Sequence, residues 1–157
     1  MAYDFTRTFG YIEVSGTLTY AGSVPVSITV DDLNTLAAWD LRFRTIVPDP
    51  EFPMDPFSMS DSDSSWAAGL IAGTALQIDA GATELVFDLT TPFATNAAVV
   101  LMSDAPDFRQ FRFGQGFQSG FVGNQIVIQG PDSEGVSFPT PFDAPLSFPV
   151  VSTGSAP

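Results

Sequence analysis

Apolar and polar residues alternate along most of this chain, and this alternation is the feature that most constrains its fold. In residues 3–9 the odd positions are Tyr, Phe, Arg and Phe, the even positions are Asp, Thr and Thr, and residues 12–20 repeat the pattern. A period of two places successive side chains on opposite faces of an extended strand, so the pattern predicts strands with one buried face. The best candidate for a helix is residues 31–38, where Asp31 or Asp32 can cap one or two turns.

The same reasoning extends over the whole chain. Residues 12–30 are expected to form a hairpin around a turn at 21–23, and the segments on either side of 80–83 a second hairpin. Residues 97–102 form a continuous apolar run, which is typical of a buried central strand. About ten short strands separated by turns predict an antiparallel β-sandwich, jelly-roll-like or meander, with one short helix. We expect one domain over residues 1–151 and a linker-like tail at 152–157.

The residue types that are missing exclude much chemistry. The chain has no Cys, no His and no Lys, and all five of its basic residues are Arg. Zinc sites of Cys and His, Ser-His-Asp and Cys-His nucleophiles, and a P-loop lysine therefore cannot be built. A glycosidase-type carboxylate pair remains, for which Asp40, Asp79 and Asp88 are the candidates. An acidic β protein offers such pairs by chance, so we predict that the protein is not an enzyme.

The charge of the chain limits its partners. The formal net charge is −13, which repels the phosphates of nucleic acids and anionic lipids, so neither is expected as a partner. No run of 18 apolar residues is present, so no membrane insertion is expected. The first residues lack the basic and apolar regions of a signal peptide, so we expect none in this chain.

An acidic, Ser-rich stretch offers a candidate metal site. Asp61 and Asp63 place carboxylates at alternate positions, as calcium loops do. An EF-hand starting at Asp61 would need Gly and Glu where Trp66 and Ala72 stand. A polar surface turn is therefore expected, with a weak Ca²⁺ site as the alternative and no other cofactor.

Aromatic residues offer candidate ligand-binding surfaces. Trp39 is in phase with apolar neighbours on its strand, which predicts core packing. Trp66 follows the acidic stretch, so it is either a core residue or a partly exposed platform for a sugar ring. Phe117 and Phe121 belong to the Phe-rich segment 108–121. That segment supplies either core strands or an exposed surface for a ligand or for self-association.

Arg42 and Arg44 lie on the same face of a predicted strand. With 18 carboxylates in the chain, surface ion pairs are the expected role for both. A bidentate clamp for an anionic sugar is the alternative.

Several of these segments together resemble a known family. They are Ser15-Gly16-Thr17-Leu18-Thr19, residues 28–33, Ala38-Trp39-Asp40-Leu41-Arg42-Phe43, residues 57–60 and residues 76–88. Over residues 11–105 the chain resembles the ectodomains of bacterial PEP-CTERM exosortase-substrate proteins. The resemblance implies secretion, a cell-surface or exopolysaccharide-matrix location, a non-catalytic structural or adhesive role, and polysaccharide or self-association as partners. The sorting signals of the family are not in the sequence, so we expect a processed form.

Overall fold

Antiparallel strands dominate the described part of the chain. The computed structural model describes residues 1–47, 54–69, 77–88, 98–104, 107–115, 124–131, 135–140 and 146–151. The strands are β1 (Ala2–Asp4), β2 (Arg7–Phe9), β3 (Ile12–Tyr20), β4 (Val26–Ile28), β5 (Ala37–Thr45), β6 (Phe57–Ser60), β7 (Ser64–Gly69), β8 (Gln77–Ala80), β9 (Glu84–Asp88), β10 (Ala98–Ser103), β11 (Gln110–Gln115), β12 (Asn124–Gln129), β13 (Val136–Thr140) and β14 (Leu146–Pro149). One short helix, α1 (Val30–Leu36), precedes β5. The predicted all-β class with a short helix is confirmed.

The strands form three sheets. Sheet A has the order β1-β3-β5-β6, with β2 also paired to β3. Sheet B has the order β14-β9-β8-β4, and sheet C the order β13-β12-β11-β10-β7. The predicted hairpin around residues 80–83 is confirmed as β8 and β9, and β10 is the predicted central strand, between β7 and β11.

The predicted hairpin over residues 12–30 is wrong. β3 pairs along its whole length with β5, from Ile12 opposite Thr45 to Tyr20 opposite Ala37. β4 pairs instead with β8 in another sheet. The chain leaves sheet A after β3, and α1 then returns it to the same sheet. A turn sequence marks where a strand ends, but it does not determine which strand becomes the partner.

Aromatic contacts join the three sheets around one core. The rings of Phe43 in sheet A and Phe111 in sheet C have centroids 5.5 Å apart. Phe87 of sheet B lies 4.7 Å from Phe113 of sheet C. A single cluster of buried side chains extends from Tyr3 to Phe148. Sheet C thus packs against both sheet A and sheet B, and the three sheets share one core, as in a sandwich. The predicted tail at 152–157 lies outside the described residues.

A capping box starts α1. The Thr29 side chain accepts a hydrogen bond from the Asp32 backbone N–H, and the Asp32 carboxylate accepts one from the Thr29 backbone N–H. Leu33 is fully buried against the core. The helix begins at Val30, one residue before the predicted start. It ends at Leu36, two residues before the predicted end, because β5 begins at Ala37. No helix among the described ranges is long and apolar enough to cross a membrane.

Candidate functional site

Trp66 is a core residue, so of its two predicted roles core packing is confirmed and the partly exposed sugar platform is wrong. Its side chain is only 3% exposed. Its ring lies 5.9 Å from Trp39, 6.0 Å from Phe87 and 6.2 Å from Phe113, measured between centroids. These neighbours belong to sheets A, B and C, so Trp66 is where the three sheets meet. Alternation along β7 turns Ser64 and Trp66 inward together, which the sequence does not reveal because residues 66–72 are continuously apolar and show no period of two.

The Phe-rich segment contributes to the core where it is described. Phe111 and Phe113 are fully buried on β11, whereas Phe108 in the preceding loop is 49% exposed. Phe117 and Phe121, the two predicted ligand-binding residues of this segment, lie outside the described residues.

The predicted polar turn at Asp61 and Asp63 is present between β6 and β7. One carboxylate oxygen of Asp63 accepts a hydrogen bond from the Ser60 backbone N–H at 2.7 Å. The other lies 3.3 Å from Nη1 of Arg109. Asp63 therefore stabilises the turn, and the guanidinium beside it disfavours a cation at the same oxygens. In the described parts of the chain, no three acidic side chains are grouped in a way that could hold a metal ion.

Arg42 and Arg44 both lie on the outer face of sheet A. Nε of Arg44 donates to Oε1 of Glu13 on the adjacent strand at 2.8 Å, and this bond raises the pKa of Arg44 above its usual value. The predicted surface ion pair is thus confirmed for Arg44. Arg42 is placed between Ser15 of β3 and Ser58 of β6. It has no ion pair with any residue that the structure describes, so for Arg42 the ion pair stays a prediction.

The two arginines border a depression in the surface. It has a volume of about 410 Å³ and is open to solvent, and Pro56, Phe57 and Ser58 complete its lining. We call the depression lined by these five residues the sheet A depression. The β6 side of the depression was not predicted from the sequence, because residues 58–65 are polar except for Met59. The alternation of large apolar residues with serines over residues 57–60 was the signal that could have predicted the strand.

The candidate catalytic carboxylates do not form one group. The register of β8 and β9 places Asp79 and Asp88 at diagonal positions on one face of sheet B. Asp40 lies instead on the outer face of sheet A, beside Arg42 along β5. The Asp79 carboxylate already accepts a hydrogen bond from the Ser27 hydroxyl.

Comparison of the chain with protein-family models, with curated proteins and with solved structures found no match.

Proposed function

We propose that this protein is a non-enzymatic structural or adhesive domain of the bacterial cell surface or of an exopolysaccharide matrix. One observation carries the proposal: the large aromatic side chains described, apart from the exposed Phe108, serve to join the three sheets. The outer face of sheet A is left to short hydroxyl and charged side chains. Such a face suits hydrogen bonding to a hydrated, hydroxyl-rich polymer. The bacterial surface location comes from the resemblance to PEP-CTERM ectodomains.

Side chains bond backbone groups at two sheet edges, which supports adhesion through the face of a sheet and not through its edge. An unpaired strand edge is a template for uncontrolled association, and proteins block such edges with side chains. Here Asn34 bonds both the backbone N–H and the carbonyl of Trp66 on β7, at 2.7 and 2.8 Å. Arg109 donates to the carbonyl of Ser58 on β6. Because side chains occupy backbone groups at these two edges, we assign partner binding to the outer face of sheet A.

A carbohydrate-binding module is the second candidate function. Because Trp66 is buried, it cannot form an aromatic platform for a sugar, so Trp66 no longer supports this function. The observation that favours it is the sheet A depression, which is lined by Arg42 and Arg44 together with Pro56, Phe57 and Ser58.

Electrophoresis through gels that contain a polysaccharide tests the adhesive function. Dextran is a neutral probe, gellan has one uronate among neutral sugars in each repeat, and alginate carries a charge on every sugar. We expect gellan or dextran to retard the protein without release of new reducing ends. No retardation in any gel, together with a monomer at high concentration in sedimentation velocity, would contradict adhesion.

The same incubations test whether the protein is an enzyme. Reducing ends that the wild type releases, and that the double variant Asp79→Asn, Asp88→Asn does not, would show hydrolysis and overturn the non-enzymatic proposal. The double variant Asp31→Asn, Asp104→Asn changes two exposed carboxylates that are not catalytic candidates, so it is the matched control for the change in charge.

A further inference from the structure

We propose that the sheet A depression binds the carboxylate of an acidic sugar residue, with Arg42 as its main contact and Arg44 as a second cation. The choice of a sugar as ligand rests on the adhesive function proposed above. The assignment of the anion site rests on the arginines themselves.

Arg42 stands out among the arginines of an acidic chain. The chain has 18 carboxylates and only five basic residues, so acceptors greatly outnumber guanidinium groups. The other four arginines all have interactions within the protein: Arg7, Arg44, Arg109 and Arg112. Arg42 has neither a hydrogen bond nor an ion pair to any described residue. Its planar fork of N–H donors is therefore free to take a carboxylate in the bidentate geometry that guanidinium favours.

Arg44 supplies the second cation in a fixed position. Only its Nε is used by Glu13, so its two terminal nitrogens have no partner among the described residues. The nearest acid to Arg42 along β5 is Asp40, two residues away on the same face, and the two do not form an ion pair. The acids of this face therefore leave donor groups on both arginines unused.

The lining of the depression fits a sugar ring better than a bare anion. Ser58 and Ser15 flank Arg42 on the two neighbouring strands and can bond ring hydroxyls. Pro56 is exposed at the depression and gives an apolar surface for the C–H face of the ring, whereas the Phe57 ring is buried against Phe43. A volume of about 410 Å³ lies within the range of small-ligand sites.

The charge of the whole protein limits the density of charge on the ligand. At −13, the chain repels a polymer that carries a negative charge on every sugar. Screening confines the local attraction of two arginines to roughly a Debye length, about 8 Å at physiological ionic strength. The ligand that fits both facts is a polysaccharide with isolated uronates among neutral sugars.

Titration with D-galacturonate, followed by the amide NMR spectrum, tests the site. We expect shifts at β5 and β6, and binding about tenfold weaker in Arg42→Gln, as expected for the loss of one charged hydrogen-bonded contact. Arg42→Lys keeps the charge but loses the fork, so intermediate binding is expected. Arg7→Gln makes the same change in net charge outside the depression and should bind as the wild type does.

Titrations with two other ligands separate an acidic sugar from a neutral sugar and from an acidic peptide. Methyl galactoside, which lacks the carboxylate, should bind at least about tenfold more weakly than galacturonate. Equal binding of the two sugars, or unchanged binding in both Arg42 variants, overturns the proposal. N-acetyl-aspartate that binds as tightly as galacturonate overturns it in favour of an acidic peptide.

Failure of this site and failure of the adhesive function give different results. If gellan retards Arg42→Gln as it retards the wild type, the adhesive function stands and the proposed anion site is rejected. If galacturonate binds but no polymer retards the protein, the anion site stands and the adhesive function is rejected.

Discussion

Trp39 and Trp66 are almost equally buried, at 4% and 3% exposure, but their indole N–H groups are in different situations. Nε1 of Trp39 donates to the Ser64 hydroxyl at 3.0 Å, and that hydroxyl donates to the Ser60 carbonyl. Nε1 of Trp66 has no hydrogen-bond partner among the described residues. A buried donor without an acceptor is costly, so the two rings contribute differently to stability although they touch each other.

Replacement of each tryptophan by phenylalanine should show this difference. Both variants lose similar ring area, but Trp39→Phe also loses a hydrogen bond, whereas Trp66→Phe removes an unsatisfied donor. We expect Trp39→Phe to lower the free energy of unfolding by about 1–3 kcal/mol more than Trp66→Phe does. Urea denaturation measures both. Equal losses, or a larger loss for Trp66→Phe, would mean that the indole N–H of Trp66 has an acceptor.

Tyr3 predicts how stability changes at alkaline pH. Its ring is fully buried and its hydroxyl donates to the Gly81 carbonyl at 2.9 Å. Burial, and next the charge of Tyr20, raise the pKa of Tyr3 above its ordinary value. Its contribution is therefore complete below the pKa of the unfolded chain, about 10, and is lost as the pH rises through the higher pKa of the folded state.

Tyr3→Phe should cost about 1 kcal/mol at neutral pH through the lost hydrogen bond. It should also make the fall in stability above pH 10 shallower, because the phenylalanine cannot ionise. Urea melts between neutral pH and pH 11 test both effects. An alkaline fall as steep in Tyr3→Phe as in the wild type would show that this phenol does not control it.

At the scale of elements, helix α1 connects sheets A and C. Its Asn34 bonds the backbone of β7, and its cap at Thr29 and Asp32 determines where the helix begins. Hydrogen bonds from the Thr29 backbone and then from its hydroxyl lower the pKa of Asp32. A lowered carboxyl pKa contributes stability above the pKa of the unfolded chain, and this is lost as the pH falls through the folded value.

Asp32→Asn should therefore be less stable than the wild type at neutral pH, and the difference should disappear at acidic pH. Asp31→Asn is the matched control, because Asp31 lies in the same first turn and is not part of the capping box. Melting temperatures between pH 6 and pH 3 give the comparison. If both variants follow the same curve, the capping box makes no measurable contribution.

Replacement of Asn34 should show what happens when the outer edge of β7 is opened. Asn34→Ala removes both hydrogen bonds to the Trp66 backbone, leaving the outer edge of β7 unpaired. We expect a loss of about 1–3 kcal/mol and new self-association, because an open edge pairs with another chain. Asn34→Asp keeps the acceptor and should associate less. Sedimentation velocity and urea melts measure the two effects, and a monomeric Asn34→Ala would contradict the role in edge protection.

The elements that could be predicted from the sequence are those with a strong local pattern. Alternation revealed β3 and β5, and the turn at 80–83 revealed a hairpin, because these depend on neighbouring residues. The partner of β4 could not be predicted, because β4 pairs with β8 and the chain between them contains α1, β5, β6 and β7. β13, at the edge of sheet C, was missed because Pro139 argues against a strand; an edge strand tolerates the missing N–H. At the candidate site, the sequence placed Arg42 and Arg44 on one face, whereas their different pairing depends on contacts across strands.

At the scale of the whole molecule, one core supports a surface of strongly negative charge. At −13 the folded protein repels itself, and salt should relieve this repulsion. A specific calcium site would act differently from diffuse screening. Asp63 already accepts from Ser60 and pairs with Arg109, so a cation would have to displace those donors. The structure therefore favours the diffuse effect.

We expect NaCl and CaCl₂ to raise the melting temperature equally once ionic strength is matched, and micromolar Ca²⁺ to have no effect. A site that binds only the folded state would add about 2.7 kcal/mol at 100 times its dissociation constant. In a domain of this size that is a shift of several degrees, large enough to detect by calorimetry. The double variant Asp61→Asn, Asp63→Asn is the control. A shift at micromolar Ca²⁺ that this variant abolishes would show that the turn between β6 and β7 is a calcium site, in which the ion replaces Arg109 at the Asp63 carboxylate.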